Sequence, residues 1–361
     1  MSGIGIITFL HNENYGSTLQ AWALQQVLLK AGLEARHIDY SPSSKEKLRN
    51  LLRSGNSPSL LLDGMRKRAV KAGESDARSK AAAFDTFRRE RLLTTSPCHD
   101  EAALRKAAEG FDLLLCGSDQ IWSPVWFNPA YYLDFGRPGQ PRVAYAASLG
   151  VSMMPSGRKR EAIRRLLPAF SAISVREEEG AALLRPLTEK NVAVMPDPVC
   201  LLSGEDWLAF AEPPAQSPGI VCYFIGDRED YWQRVEALRR ETGLPVTVLP
   251  VTENAFRQPY AIAGGLSPQA WVGMLAAADR VVTDSFHGAV FSLLLERPCT
   301  VLRRYREDDK ASKNSRIDQL FRQLELTDPE AADPLRTRAR FEALRRQGTD
   351  WLLNAVRQAG K

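Results

Sequence analysis

The chain has 361 residues, 44% of them hydrophobic and 25% charged. That is room for two packed domains, and the usage excludes a disordered or fibrous protein. The net charge of +5 is modest, and no apolar stretch approaches the roughly 18 residues that cross a bilayer. A cytoplasmic, enzyme-like globular protein is expected. Its five cysteines, Cys98, Cys116, Cys200, Cys222 and Cys299, show no C-x-x-C spacing. They read as buried thiols, neither a disulfide framework nor metal ligands.

The opening I-G-I-I-T-F-L lacks the basic flank of a signal peptide and reads as a buried strand. The loop H-N-E-N-Y-G and the helix S-T-L-Q-A-W-A-L-Q-Q-V-L-L-K-A-G follow it. Ser17 with Gln20 predicts a capping box, and Gly32 a stop. A-R-H-I-D-Y completes a right-handed strand-helix-strand unit. Residues 41–94 break the rhythm with turn-forming S-P-S-S and S-G-N-S-P-S, then an Arg/Lys-rich helical pattern, and read as a helical insertion. Between Lys45 and Arg91, thirteen Lys and Arg stand against six Asp and Glu. Such a block can be a solvated helical face, or can meet nucleic acid, polyphosphate or an anionic membrane surface. Peripheral membrane contact is the partner expected here, and nucleic acid is not.

Strands resume at F-D-L-L-L-C-G-S-D-Q-I-W, P-R-V-A-Y-A-A-S-L-G, A-I-S-V-R and V-A-V-M-P-D-P-V. Each delivers polar or small residues at its carboxyl end, where open α/β sheets bind ligands. After the Pro-rich F-A-E-P-P-A-Q-S-P-G the pattern repeats. G-I-V-C-Y-F-I-G, P-V-T-V-L-P-V, R-V-V-T-D-S and C-T-V-L are strands, and Ser267 caps the helix S-P-Q-A-W-V-G-M-L-A-A-A. The expected fold is α/β, two Rossmann-like domains facing a cleft. An N-terminal domain spans residues 1–205 with the insertion at about 41–94, a C-terminal domain spans 218–330, and residues 331–361 form a helical tail.

The strand ends carry the candidate chemistry. In T-D-S-F-H-G-A-V-F-S, His287 stands at a helix start about Gly288, beside Asp284 and Ser285, where helix N–H groups and dipole favour an anion. It is either a general acid and phosphate contact or a histidine capping the helix in the core. The loop N-E-N-Y-G-S offers Asn14, Gly16 and the N–H groups of Ser17 and Thr18. It lacks G-x-G-x-x-G and is a poor dinucleotide fingerprint. Ser118, Asp119 and Gln120, with Trp122 and Trp126 beyond them, supply the amide, carboxylate and indole groups that a sugar requires, or else form a polar turn. Arg176 can grip a carboxylate or phosphate, or pair with Glu177 to Glu179. No metal-binding motif is present, and no catalytic metal is expected.

In order, N-Y-G-S-T-L-Q-A-W-A-L, G-S-D-Q-I-W, Y-A-A-S-L-G, I-S-V-R-E-E-E-G, D-P-V-C-L-L, T-D-S-F-H-G-A-V-F-S and K-N-S-R-I-D-Q-L resemble the polysaccharide pyruvyl transferase family, from about residue 4 to residue 325. The resemblance implies a glycosyltransferase-B-like fold. It also implies transfer of the pyruvyl group of phosphoenolpyruvate onto two hydroxyls of a sugar in a polysaccharide or its lipid-linked precursor, closing a ketal and releasing phosphate. Phosphoenolpyruvate is then the co-substrate, with no resident cofactor. His287 becomes the catalytic acid, and Arg176, Ser285, Lys313 and Arg316 the donor contacts on the C-terminal side. Asn14, Gly16, Ser118, Asp119 and Gln120 face the acceptor on the N-terminal side. Many members carry arginine within S-x-R-x-H, but here Phe286 directly precedes the histidine, so Lys313 or Arg316 is expected to replace that grip. The alternative is a glycosyltransferase using a nucleotide-sugar donor, with Glu296 as the ribose carboxylate. A third reading is a non-catalytic glycan-binding protein of the same fold.

Overall fold

The computed structural model describes residues 3–54, 74–304 and 315–360. The chain divides into two compact units. Met1–Arg68, Arg89–Leu201 and Leu344–Lys361 form the first, and Ala69–Arg88 with Leu202–Ala343 the second.

In the first unit, among the described residues, β1 (Ile4–Ile7), β2 (Ala35–His37), β3 (Leu113–Cys116), β4 (Arg142–Ala147), β5 (Ala172–Val175) and β6 (Val192–Val194) form a parallel sheet. Its order is β2-β1-β3-β4-β5-β6. β1 and β3 are buried at every residue, as expected of parallel strands covered on both faces. The helix between β1 and β2, Tyr15–Lys30, starts earlier than the expected capping box. Asn14 is its N-cap, accepting from Ser17 N–H at 3.1 Å. Gln20 instead turns back to the strand ends, donating to Thr8 Oγ1 at 3.1 Å and accepting from Ser118 N–H at 2.8 Å. Under the loop after β3, Trp122 stacks on Tyr132 with centroids 4.8 Å apart and meets Phe170 edge-on.

The second unit repeats the plan. β7 (Ile220–Tyr223), β8 (Val246–Val248), β9 (Ala261–Ile262), β10 (Arg280–Thr283) and β11 (Cys299–Val301) are parallel in the order β11-β10-β7-β8-β9. β9 is two exposed residues, so no apolar run announces it. Phe291 of the helix Phe286–Leu294 packs edge-on against both Trp207 and Trp271. The fold is therefore α/β with two Rossmann-like units, of the glycosyltransferase-B-like kind.

Sequence and structure partition the chain differently at two helices. Glu74–Arg91, read with the N-terminal insertion, lies mostly in the second unit. There Phe87 meets Phe210 edge-on, and Gly264 leaves no room for a Cβ beside the Asp76 carboxylate. The last helix, Pro334–Ala359, begins in the second unit and ends in the first, where Gly348 abuts Leu201 and Tyr145. Residues 55–73 of the insertion, and Lys313, lie outside the described residues. Among the described residues, no helix is long and apolar enough to cross a membrane.

Strand order locates the ligand edge. In the first sheet the chain passes from β1 to β2 on one side and then to β3 on the other, so the reversal falls between β1 and β3. In the second, β8 and β9 follow β7 on one side and β10 and β11 lie on the other, so the reversal falls between β7 and β10. Open α/β sheets bind ligands at the carboxyl ends of strands at such points.

Candidate functional site

At the first reversal the chain leaves β3 through Gly117, whose φ is +127° and whose added Cβ would lie 2.0 Å from the Tyr145 carbonyl oxygen. Only glycine passes there. Ser118 is fully buried, donating from Oγ to the Ala146 carbonyl at 2.5 Å. Asp119 adopts φ 67°, ψ −179°, a region nearly exclusive to glycine that costs a side-chain-bearing residue about 1–3 kcal/mol. The surroundings impose it. Asp119 Oδ2 accepts from Ser17 Oγ, Oδ1 accepts from Gln120 N–H at 2.8 Å, and its carbonyl accepts from Ser148 N–H at 2.8 Å. Strain of this kind clusters at functional sites. Asn14, Gly16, Ser118, Asp119 and Gln120 thus come together at one switch point. Gln120 Nε2 is buried with no acceptor among the described residues. Beside it Trp126, 39% exposed, donates from Nε1 to the Gln120 carbonyl at 3.3 Å.

Arg176, expected to grip the donor, is 3% exposed and committed to acids of its own unit. Nη1 pairs with Asp197 Oδ2, Nη2 faces Asp119 Oδ1 at 3.8 Å, and Nε faces Glu177 Oε2 at 3.8 Å. Burial pulls the guanidinium pKa down, but the carboxylates of Asp197, Glu177 and Asp119 outweigh it and leave the pKa raised. Glu177 Oε1 in turn accepts from Ser148 Oγ at 2.8 Å and Leu149 N–H at 3.1 Å. Arg176 is the keystone of a buried charge cluster joining the ends of β3, β5 and β6. Asp197, its partner in D-P-V-C-L-L, was not singled out in the sequence, though an acid directly after the apolar run V-A-V-M-P was the signal.

At the second reversal, Ser285 caps the helix Phe286–Leu294 by accepting from Gly288 N–H at 3.3 Å. The helix starts two residues before the Gly288 expected from sequence. A Cβ on Gly288 would lie 2.4 Å from Thr283 Oγ1, which itself donates to the Tyr223 carbonyl at 2.6 Å. The helix can therefore rise from the strand only with glycine at that place. His287 sits in the first turn, 7% exposed, its ring edge-on to Phe286 at 5.0 Å. Asp284 is 1% exposed and ties the reversal shut. It accepts from Ile225 N–H at 2.7 Å, Gly226 N–H at 2.8 Å and Arg304 Nε at 3.0 Å.

The other candidates separate. Arg316 is half-buried in the first turn of Ser315–Leu324, a helix that packs on Phe286–Leu294. Glu296 stands beyond the C-terminal end of Phe286–Leu294, paired with Arg338 at 2.6 Å. That nine-residue helix is about 13 Å long at ~1.5 Å per residue. It carries Glu296 to the amino edge of the sheet, away from His287, so Glu296 is not the ribose carboxylate.

Solved structures share this fold, among them two with a bound nucleotide. UDP-GlcNAc 2-epimerase from Neisseria meningitidis, bound to UDP-GlcNAc, is 12% identical with TM-score 0.51, over 98% of this chain and 99% of that one. Anabaena HepE, in complex with UDP and glucose, is 10% identical with TM-score 0.51, over 98% and 99%. At these identities the likeness carries the fold alone. No curated protein matches the chain in sequence. The expectation of phosphoenolpyruvate as donor partner, with pyruvyl transfer and ketal formation, is corrected here. The two similar proteins are described with UDP-GlcNAc and with UDP and glucose, and the guanidinium meant for phosphoenolpyruvate neutralises three buried carboxylates instead. The family model for polysaccharide pyruvyl transferase nonetheless matches residues 14–304, from the cap of the first helix to the arginine on Asp284. The chain belongs to the polysaccharide pyruvyl transferase family.

Proposed function

We propose that the protein is a nucleotide-sugar-dependent glycosyltransferase of the cytoplasm. The observation that carries this reading is the second switch point, where a nine-residue helix opens at the strand end with Ser285 as cap and His287 in its first turn. A helix N-terminus presents about half a positive charge and outward N–H groups, which suit the diphosphate of an activated sugar. His287 donates to the phosphate oxygen that becomes the leaving group, stabilising charge as the glycosidic bond to phosphate breaks. The UDP and UDP-sugar of the two similar structures support this choice of donor. Ser285 and Arg316 belong to the same donor side. Family membership accounts for the strand-end motifs, and the donor is read from the site.

The saccharide acceptor lies at the first unit's strand ends. The Gln120 amide and the exposed Trp126 face meet its hydroxyls and ring, and Asn14, Gly16, Ser118 and Asp119 shape the floor. Five buried free cysteines suit a reducing compartment.

Thermal-shift titration with UDP-, GDP-, ADP- and dTDP-sugars tests the reading, with phosphoenolpyruvate alongside. At ~100-fold excess over Kd, a true donor stabilises by about 2.7 kcal/mol, and His287→Ala abolishes the shift. Stabilisation by phosphoenolpyruvate and by no nucleotide sugar would overturn the proposal.

A further inference from the structure

Three strand exits of the second unit meet at one carboxylate. Asp284 directly follows β10, and it accepts at Oδ1 from Ile225 N–H at 2.7 Å and at Oδ2 from Gly226 N–H at 2.8 Å, which ties in the loop after β7. The segment after β11 joins them through Arg304. Its Nε donates to Asp284 Oδ2 at 3.0 Å and its Nη2 to the Asp284 carbonyl at 3.1 Å. Gly226 leaves the arginine stem its course, since an added Cβ would lie 2.7 Å from Asp284 Oδ2 and 3.2 Å from Arg304 Cγ. The main chain just before Arg304 is held as well, with the Tyr231 hydroxyl donating to the Arg303 carbonyl at 3.2 Å.

The guanidinium therefore has one committed edge and one open edge. Nε–H and one Nη2–H are spent on Asp284, whereas Nη1 bonds none of the described residues and the side chain stays 23% exposed. An arginine fork fixed at one edge and open at the other matches two oxygens of a phosphate, and little rotamer freedom is left for it to lose on contact. Asp284 does not repel such a ligand from the open edge, because it is 1% exposed and its oxygens are taken up by the two backbone N–H groups and Nε. Position selects the anion. The carbonyl that holds Nη2 belongs to the peptide joining Asp284 to Ser285, the N-cap of Phe286–Leu294. Arg304 thus stands one peptide from the donor-side helix terminus. Its neighbour Arg303 is turned elsewhere and pairs with Asp318.

We propose that Arg304, held by Asp284, is the arginine that binds the diphosphate of the nucleotide-sugar donor, an assignment that rests on the glycosyl-transfer reading. Nη1 and the remaining N–H of Nη2 donate to phosphate oxygens, and every group invoked belongs to the second unit. Asp284 is a positioning residue, since it touches the guanidinium and not the donor. Arg304 recognises phosphate oxygens only, so its contribution is the same whichever base or sugar the donor carries.

The test uses the full chain, with UDP, GDP, ADP and dTDP each titrated by calorimetry. Arg304→Gln is expected to raise the Kd of the nucleoside diphosphate that wild type binds roughly 10–100-fold. Arg304→Lys keeps the charge beside Asp284 but loses the fork, so its Kd rises less; it carries the test if the glutamine variant does not fold. Arg303→Gln, one residue away and paired with Asp318, keeps the wild-type Kd. A wild-type Kd in folded Arg304→Gln, or in Arg304→Lys where only that variant folds, removes Arg304 as the diphosphate contact and leaves glycosyl transfer standing. An equal loss in Arg303→Gln does the same, since it would reduce the effect to diffuse charge. A wild-type chain that binds none of the four and transfers no nucleotide sugar overturns both.

Discussion

Arg176→Met separates a structural arginine from a ligand-gripping one. In the native unit Arg176 is 3% exposed, beside Asp197 at 1%, Glu177 at 2% and Asp119 at 8%. Methionine of similar reach leaves these acids buried without their cation. Removing one partner of a buried pair costs about 3–5 kcal/mol, whereas replacing the whole set by apolar groups is often neutral. In a unit of about 200 residues each kcal/mol moves Tm by roughly 2–4 °C, so a fall of about 6–20 °C is expected in differential scanning fluorimetry. Adding Asp197→Leu should return part of the loss, a coupling that only residues in contact display. Arg176→Lys keeps the charge but loses the planar fork, and should fall between wild type and methionine. An Arg176→Met protein with wild-type Tm that no longer binds its donor would refute the reasoning and make Arg176 a ligand contact.

Two further outcomes follow from the first unit. Burial lowers the His37 pKa to about 4, against the raising effect of its bond to the Ala21 carbonyl. The unfolded chain therefore binds more protons between about pH 6.5 and 4, and stability present above that window drains away as pH falls through it, by up to about 3 kcal/mol. Urea midpoints at neutral pH and near pH 4.5 should differ much less in His37→Leu than in wild type, and equal pH slopes would contradict this. Gly117→Ala places a Cβ 2.0 Å from the Tyr145 carbonyl oxygen at φ +127°, costing at least about 3 kcal/mol. A variant that melts with wild type would show that the strand exit is drawn wrongly.

Much of the architecture was legible because parallel strands covered on both faces are continuous apolar runs. β1, β3 and β7 are buried at every position, and each announces itself in sequence. The motifs quoted for the polar groups at their ends fall at both strand-order reversals. Local pairing was read less well. Ser17 was assigned to a capping box, yet its hydroxyl is taken by Asp119 and Asn14 caps in its stead. Glu296 was read as the ribose carboxylate of the alternative, and the intervening helix carries it to the edge opposite His287.

The sequence by itself determined the family, the two parallel sheets and the strand ends where polar groups gather, because those rest on apolar runs and motifs that are local along the chain. Only the tertiary structure decided what the charged groups do there. Arg176 meets Asp119 and Asp197, and His11 meets Asp39, through strand register across a sheet. Whether an ionisable side chain grips a ligand or pairs with an acid of its own unit depends on which groups that register brings within a few ångströms, and no spacing along the chain records it.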